Sequence, residues 1–272
     1  IGEFADYRNT QLHADRFTLY RSTARFVGPR RIQLADGRLL EGSKIILATG
    51  SRVNHPPVPG LDQVPVWTSR DILDLDEVPA SVIVLGGGVV ACELTQFLAR
   101  IGTEVTQIQR SPHILKEASP EAATVVEAAF RKEGVRLFTD TRLESISQVD
   151  QEIHATFEHA GESITVTAAH LFNALGRSPN TEGLNLEAAG VALRPTGHIE
   201  TDPEQRSSNP DIYAAGDVAG PHEIVHIAIL QGEIAGHHAC GKHGDPINYD
   251  HLTSIIFTDP QVACTGIPEA EL

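Results

Sequence analysis

The stretch VIVLGGGVVACELTQF, residues 82–97, constrains the fold more than any other part of the chain. Apolar and β-branched residues lead into Gly86, Gly88 and Ala91, which fit the spacing G-x-G-x-x-G/A, and apolar residues then recur at helical intervals. In such a unit the first glycine permits a tight turn, the second lets a pyrophosphate approach the backbone, and the third position requires only a small side chain. The pattern predicts a dinucleotide-binding turn; the alternative is a glycine-rich turn that binds nothing.

The strand after this helix, EVTQIQ at 104–109, ends where a dinucleotide site reads the ribose. An NAD site places Asp or Glu there to accept from the ribose 2′-hydroxyl. This chain has Gln109 instead, with Arg110 next to it and Lys116 soon after. Two cations would attract an anionic 2′-phosphate, so the sequence favours NADP(H) over NAD(H). The alternative is that both cations are ordinary surface residues at the end of a strand.

The elements that follow the turn extend it into a β-α-β-α-β unit. Strands are predicted at 81–85, 104–109 and 135–138, and the second intervening helix starts at a Ser119 cap and ends before Gly134. This order implies an α/β fold with a parallel sheet and right-handed crossovers.

Other segments predict further strands on both sides of this unit. Residues 16–50 are expected to form a β-meander of FTLY, ARFV, RIQL, RLL and KIILA, the last of them buried on both faces. Later in the chain we expect an antiparallel three-stranded flap (143–168), strands at 170–175 and 212–217, and a helix at 223–239.

Composition limits the classes of partner. The formal net charge of −15 disfavours nucleic acid and anionic membrane surfaces. No apolar run approaches the ~20 residues that span a bilayer. We therefore expect no nucleic-acid or membrane partner. The chain contains no methionine, so Ile1 is expected not to be the natural start and the chain to be a piece of a longer one.

The cysteines predict neither disulfides nor a metal site. Cys92, Cys240 and Cys264 are far apart, which suits a reducing cytoplasm and gives no zinc spacing. Cys92 lies within the helix and is expected to be a core residue, since reactive thiols need an exposed electropositive setting. HHACGKH at 237–243 is expected to be a solvated helix end, so no metal is predicted.

Five motifs, in order, resemble those of the class I pyridine nucleotide-disulfide oxidoreductases, the flavoproteins that include mercuric reductase, dihydrolipoyl dehydrogenase and glutathione reductase. They are LATGS (47–51), GGGVVACE (86–93), ALGRSPN (174–180), NPDIYAAGD (209–217) and FTDPQVACTG (257–266). The resemblance covers nearly the whole chain and implies two FAD/NAD(P)-binding Rossmann-like domains, one of them incomplete. The domains it implies are a partial FAD-binding domain (1–67), an NAD(P)-binding domain (68–175), the continued FAD-binding domain (176–250) and the start of a dimer-interface domain (251–272).

The resemblance also implies which residues contact the cofactors. For NAD(P) they are Gly86, Gly87, Gly88, Val89, Val90, Ala91, Glu93, Gln109, Arg110, Lys116, Leu143 and Gly176. For FAD they are Thr49, Gly50, Gly216, Asp217, Val225 and His226. Asp217 resembles the acid that accepts from the flavin ribityl hydroxyl; the alternative is a cap in a turn. The amides around Val225 resemble those that face the flavin and stabilise its reduced form.

Glu93 resembles a supporting catalytic glutamate that reaches the flavin N5 region and pairs with a lysine of the N-terminal segment. The alternative is a glutamate stabilised only by the helix dipole, by about 0.3–1 kcal/mol. Val89 stands where several members have a tyrosine over the flavin, and mercuric reductases tend to have valine. Together with Arg110 and FTDPQVA, it favours the mercuric-reductase-like branch.

The implied enzyme passes hydride from NAD(P)H to FAD, then electrons to a redox disulfide and to a small-molecule or metal-ion acceptor. It would be a cytoplasmic homodimer. The first flavin glycine motif, the C-x4-C pair and the acid–base histidine are absent from this sequence, so the fragment alone is expected to be inactive. The alternatives are a dihydrolipoyl dehydrogenase that uses NAD, a single-cysteine peroxide or NADH oxidase of the same fold, and a non-catalytic nucleotide-binding module.

Overall fold

The structure is a computed structural model that describes residues 2–12 and 17–266. The chain divides into two compact units. Unit 1 comprises Ile1–Gly50 and Pro179–Ile247, and unit 2 comprises Ser51–Ser178 and Asn248–Leu272.

The described residues form five α-helices and sixteen strands. The helices are α1 (Gly2–Leu12), α2 (Ser69–Leu73), α3 (Val89–Arg100), α4 (Pro120–Lys132) and α5 (Val225–Ala239). The strands are β1 (Ala24–Gly28), β2 (Arg31–Leu34), β3 (Leu39–Glu41), β4 (Ile45–Leu47), β5 (Ser51–Val53), β6 (Ser81–Leu85), β7 (Glu104–Ile108), β8 (Arg136–Phe138), β9 (Thr141–Val149), β10 (Glu152–His159), β11 (Glu162–Ala168), β12 (His170–Asn173), β13 (Arg177–Pro179), β14 (Ile212–Ala214), β15 (Thr253–Ile256) and β16 (Val262–Thr265).

A four-stranded parallel sheet forms the centre of unit 2, with the strand order β12-β6-β7-β8. It confirms the predicted β-α-β-α-β unit, with α3 and α4 as the crossovers. β6 is apolar and buried from Val82 to Leu85, as suits a strand that is covered on both faces. Val82 and Val84 pack into the core beside α3 and α4, whereas Ile83 and Leu85 pack into a second core beneath the flap.

The flap of unit 2 is the predicted antiparallel three-stranded sheet, in the order β11-β10-β9. Its inner face contributes Ile153, Phe157 and Val166 to the core that also contains Ile83. A register shift between Thr156 and Phe157 interrupts the β10–β9 pairing.

Unit 1 contains an antiparallel sheet, β1-β2-β3, and a parallel pair in which β14 lies beside β4. Two expectations for the meander are wrong. FTLY, at 17–20, forms no strand, and the sequence reasoning did not foresee α1. β4 is not buried on both faces, since Ile46 is 44% exposed and β4 pairs only with β14 among the described residues.

The limits of the two units fall after residues 50, 178 and 247, whereas the predicted domain limits fall after 67, 175 and 250. Residues 51–67 cluster with unit 2, where the Trp67 N–H donates to the Leu171 carbonyl (2.8 Å) and the Asn173 N–H donates to the Trp67 carbonyl (2.9 Å). The β15–β16 hairpin also clusters with unit 2, and Val262 is buried in its core. Of the predicted interface segment, residues 267–272 lie outside the described part of the chain. Across the described residues, no helix combines the length and apolar character that a membrane span requires.

Candidate nucleotide-binding sites

The turn between β6 and α3 has the backbone that its glycines predict. Gly86 has a φ of +117°, and a Cβ there would lie 2.3 Å from the carbonyl oxygen of Ala174. A Cβ on Gly87 would lie 2.8 Å from the side chain of Gln109, whereas nothing lies within 4 Å of the Cβ position of Gly88. The first two glycines are therefore required by close packing within the unit, and the third leaves open space next to the start of α3.

The N-terminus of α3 has no side-chain cap. Gly88 occupies the cap position, the next two valines are exposed, and the buried Ala91 provides the small residue that the motif requires. By contrast, Ser119 caps α4 by accepting from the Ala122 N–H (3.2 Å), and a capping box closes the start of α2. An uncapped helix start with free amides is suited to an anion such as pyrophosphate.

The loop after β7 carries the residues expected to read the ribose. Gln109 is largely buried, and its Nε2 donates to the carbonyl of His113 at 3.4 Å, a marginal hydrogen bond that turns the amide toward its own loop. Arg110 and Lys116 are exposed. Glu117 lies 3.2 Å from the Lys116 ammonium in an exposed pair, so part of the positive charge of Lys116 is compensated.

A buried carboxylate holds this loop in place. Glu127 on α4 is 6% exposed, and its Oε1 accepts from the Ile114 N–H (3.1 Å) and lies 3.3 Å from His113 Nδ1. The Leu115 N–H donates to the Gly87 carbonyl (2.6 Å), which joins the loop to the glycine turn. Sequence reasoning missed Glu127, although its helical spacing with buried neighbours at 123, 126 and 130 placed it on the inner face of α4.

Glu93 contacts the C-terminal hairpin in this structure. Its Oε1 accepts from the Phe257 N–H at 2.8 Å. On the same side of α3, Gln96 forms two hydrogen bonds with the backbone of Asp259, and Arg100 forms an ion pair with the Asp259 side chain (2.7 Å). A structural role for Glu93, fixing residues 257–259 to α3, is therefore visible beside the expected flavin-side role.

The cysteines behave as the sequence predicts. Cys92 is buried in the core, and its burial raises the pKa of the thiol to about 12, so the thiolate nucleophile is not formed at neutral pH. Cys240 and Cys264 are exposed and free. Within the described residues no group of His, Cys, Asp and Glu could hold a metal ion.

Leu143 and Gly176, the other two expected NAD(P) contacts, lie in unit 2, Leu143 within β9 and Gly176 in the connection between β12 and β13. Leu143 pairs with Phe157 next to the register shift of the flap. Gly176 has a φ of +97°, and its carbonyl accepts from the Asn54 N–H (3.0 Å). Asn54 also donates from Nδ2 to the Arg177 carbonyl (3.2 Å), so it fixes the backbone around Gly176.

The residues expected to bind flavin lie on turns of unit 1. Gly50 and Thr49 are joined to Asn180, whose N–H donates to the Gly50 carbonyl (2.9 Å). The turn at Gly216 and Asp217 follows β14, and the Gly216 N–H donates to Gln231 Oε1 (2.7 Å). Asp217 is half-buried on this turn.

The helix α5 begins at Val225, as expected, and its N-terminus also has no side-chain cap. Val225 is 77% exposed, and the neighbouring His226 is exposed as well. Among α2 to α5, the helices to which the sequence assigns cofactors, α3 and α5, have no side-chain cap, whereas a capping box closes the start of α2 and Ser119 caps α4.

Comparisons with known proteins agree with these motifs. A family model described as pyridine nucleotide-disulphide oxidoreductase matches residues 6–232. A mercuric reductase of Shigella flexneri is 38% identical over 263 residues, which are 93% of this chain and 45% of that protein. A dihydrolipoyl dehydrogenase of Thermus scotoductus is 35% identical over 268 residues, covering 96% of this chain and 56% of that protein.

Among solved structures, LpdA from Mycobacterium tuberculosis superimposes with a TM-score of 0.87 at 29% identity, over 99% of this chain and 60% of that one. The chain spans about half the length of the curated relatives it matches.

Proposed function

Because the chain belongs to the pyridine nucleotide-disulphide oxidoreductase family, we propose that it is the nucleotide-handling part of a mercuric-reductase-like flavoprotein. The complete protein would oxidise NADPH, reduce FAD and pass electrons through a redox disulfide to a small-molecule or metal-ion acceptor. Both the mercuric reductase and the dihydrolipoyl dehydrogenase relatives belong to this family of flavin- and pyridine-nucleotide-dependent disulfide reductases.

The observation that supports NADPH is the loop after β7. Its exposed cations, Arg110 and Lys116, adjoin a glycine turn whose open side is the start of α3. Gln109, at the position of the expected carboxylate, turns its amide into the loop and offers no anionic acceptor to a ribose hydroxyl. The donor set therefore fits a 2′-phosphate better than a bare ribose.

The residues present also fit a flavin on unit 1. Gly216 and Asp217 stand on a turn at the end of β14, and the open amides of α5 start at Val225. When bound, the nicotinamide and the flavin supply the hydride chemistry, while the protein positions them and stabilises charge. The role of Asp217 would be to accept from a hydroxyl of the cofactor, and that of the α5 amides to stabilise developing negative charge.

Nucleotide preference in flavin reduction by the full-length protein tests the proposal. We expect NADPH to reduce the flavin with a kcat/KM at least about tenfold above that of NADH, the size of effect that one charged contact can provide. A strong preference for NADH would overturn it and favour a dihydrolipoyl dehydrogenase. That alternative is also supported by the Glu117 carboxylate, which compensates part of the positive charge of Lys116.

The acceptor is tested separately, with mercuric ion and lipoamide supplied to the same protein. Reduction of mercuric ion but not of lipoamide is the expected result for the mercuric-reductase-like branch. A protein that binds nucleotide but whose flavin is never reduced would instead be the non-catalytic binding module. Homodimer formation and a cytoplasmic location remain part of the proposal for the full-length protein.

A further inference from the structure

The strand β7 has a glutamine at a fully buried position. Gln107 is 0% exposed, and Val105, Thr106 and Ile108 of the same strand are buried as well. Its Oε1 has no hydrogen-bond partner among the described residues. A buried acceptor without a partner is destabilising, so the retention of glutamine at this position needs a physical reason.

The other end of the same amide provides that reason. Gln107 Nε2 donates to the carbonyl oxygen of Gly86 at 2.9 Å. The Gly86 N–H in turn donates to the Ile108 carbonyl at 2.9 Å. Both polar groups of the first glycine of the turn are therefore bound from the interior of unit 2, by residues of the neighbouring strand.

The direction of the Gly86 carbonyl fixes the direction of the next amide. In a planar trans peptide the C=O of one residue and the N–H of the next point in opposite directions. Since the Gly86 carbonyl faces Gln107, the Gly87 N–H points away from the core. The Gly87 carbonyl accepts from Leu115 (2.6 Å), so the Gly88 N–H points away from the core as well. In the described part of the chain, no amide from 87 to 91 donates to a protein acceptor.

We propose that Gln107 is a positioning residue for the pyrophosphate of a bound dinucleotide. It holds the Gly86 carbonyl inward and so keeps the Gly87 amide aimed at the ligand. This inference rests on the proposed function, because it assumes that the turn binds a dinucleotide. It assigns to Gln107 no contact with the ligand itself and no part in reading the 2′-phosphate.

The test measures affinity for two probes by titration calorimetry on the full-length protein and on a Gln107→Leu variant. NADP⁺ contains the pyrophosphate, and adenosine 2′-monophosphate has the 2′-phosphate without it. We expect the variant to bind NADP⁺ about tenfold more weakly, the loss of roughly one directed hydrogen bond, and to bind adenosine 2′-monophosphate with unchanged affinity. The midpoint of thermal unfolding should change little, because the substitution removes one unpartnered acceptor and creates another at Gly86.

Thr95→Val is the matched control. Thr95 is fully buried on α3, and its hydroxyl also lacks a partner among the described residues, so its side chain forms no hydrogen bond with the glycine turn. This variant should keep the affinity of the parent for both probes.

The outcomes separate this inference from the proposed function. Equal NADP⁺ affinity in the parent and in Gln107→Leu would overturn the positioning role and leave the proposed function intact. A parallel loss of affinity for both probes would also overturn it, since that pattern indicates general damage to the unit. A parent protein that binds neither probe would overturn the proposed function and this inference together. A parent that prefers NAD⁺ would overturn only the nucleotide preference, and NAD⁺ with adenosine, which lacks the pyrophosphate, would then serve as the probe pair.

Discussion

In each unit a fully buried glutamine forms a hydrogen bond with the backbone of a glycine turn, but the two glutamines, Gln231 and Gln107, are bonded differently. In unit 1, Gln231 on α5 accepts from the Gly216 N–H (2.7 Å) and donates to the Gly220 carbonyl (2.7 Å). In unit 2, Gln107 donates to the Gly86 carbonyl (2.9 Å) and its acceptor is left without a partner among the described residues.

This difference separates two ways of shaping a binding turn. Gln231 closes a loop on itself by joining its two ends, so its contribution is mainly to stability. Gln107 donates to a single carbonyl of the turn and more weakly to the Cys92 sulfur on α3 (3.8 Å), so its contribution is mainly to direction. We therefore expect substitutions in unit 1 to change mainly the free energy of unfolding, and substitutions at Gln107 to change mainly the affinity for the nucleotide.

The largest effect is expected from the glycines of the two turns. In unit 2, Gly86→Ala would place a Cβ 2.3 Å from the Ala174 carbonyl oxygen at a φ of +117°, and we expect a loss of more than about 3 kcal/mol in the free energy of unfolding. In unit 1, Gly216→Ala meets only the Ala228 Cβ at 3.4 Å, with a φ of +78°, so about 1–2 kcal/mol is expected. Urea unfolding of both variants measures the two values, and equal losses would contradict the comparison.

The next effect is that of Gln231→Leu. The change leaves the Gly216 N–H and the Gly220 carbonyl buried without these partners, at a cost of about 2–4 kcal/mol in stability. We also expect release of FAD from the purified protein, because Asp217 stands on the same loop. The exposed Glu233→Gln on α5 is the control and should change stability by less than about 0.5 kcal/mol. If Gln231→Leu behaved like this control, the distinction between the two glutamines would be lost.

A smaller effect, on selectivity alone, is expected from Arg110→Ala. Arg110 is exposed and forms no ion pair in the described part of the chain, so its removal should leave stability unchanged. The loss of a charged contact to the 2′-phosphate should reduce the ratio of NADPH to NADH affinity by about tenfold. Lys132→Ala, an exposed cation at the end of α4, is the control for net charge and should leave the ratio unchanged. Equal weakening of both nucleotides by Arg110→Ala would show that the cation does not read the phosphate.

The sequence predicted the parts of both turns that depend on local pattern. The strand, glycine spacing and helix of 82–97 are found as expected, because a buried parallel strand and an amphipathic helix have distinct apolar periods. The antiparallel flap and the start of α5 followed from the same logic. The strand predicted for FTLY was wrong because four apolar and β-branched residues satisfy a strand pattern even where no described strand pairs with them.

The residue roles that could not be predicted from the sequence depend on contacts between residues far apart in the chain. The sequence predicts no role for Gln107, whose bond to Gly86, 21 residues earlier, is seen only in the structure. The helical spacing of Glu127 places it on the inner face of α4, but its bond to Ile114 under the loop is also seen only in the structure. Glu93 was read from its motif alone, and its bond to Phe257, 164 residues away, is a contact that no local pattern encodes.

The smallest expected effect concerns the pH dependence of the stability of unit 2. His170 stacks on Trp67, with ring centroids 3.9 Å apart, and burial lowers the pKa of the imidazole below its usual 6.5. The unfolded chain takes up the proton more readily than the folded one, so unit 2 should lose stability as the pH falls through about 6.5 and downward.

In His170→Phe the stack is kept and the titrating group removed. The difference in stability between about pH 7.5 and about pH 5.5 should therefore shrink relative to the parent. The fluorescence of Trp67, the only tryptophan of the chain, reports unfolding of unit 2 separately from unit 1. His55→Phe, at an exposed position of the same unit, is the matched control and should keep the parent's pH dependence. An identical pH dependence in the parent and in His170→Phe would assign the acid sensitivity of unit 2 to groups other than this stacked pair.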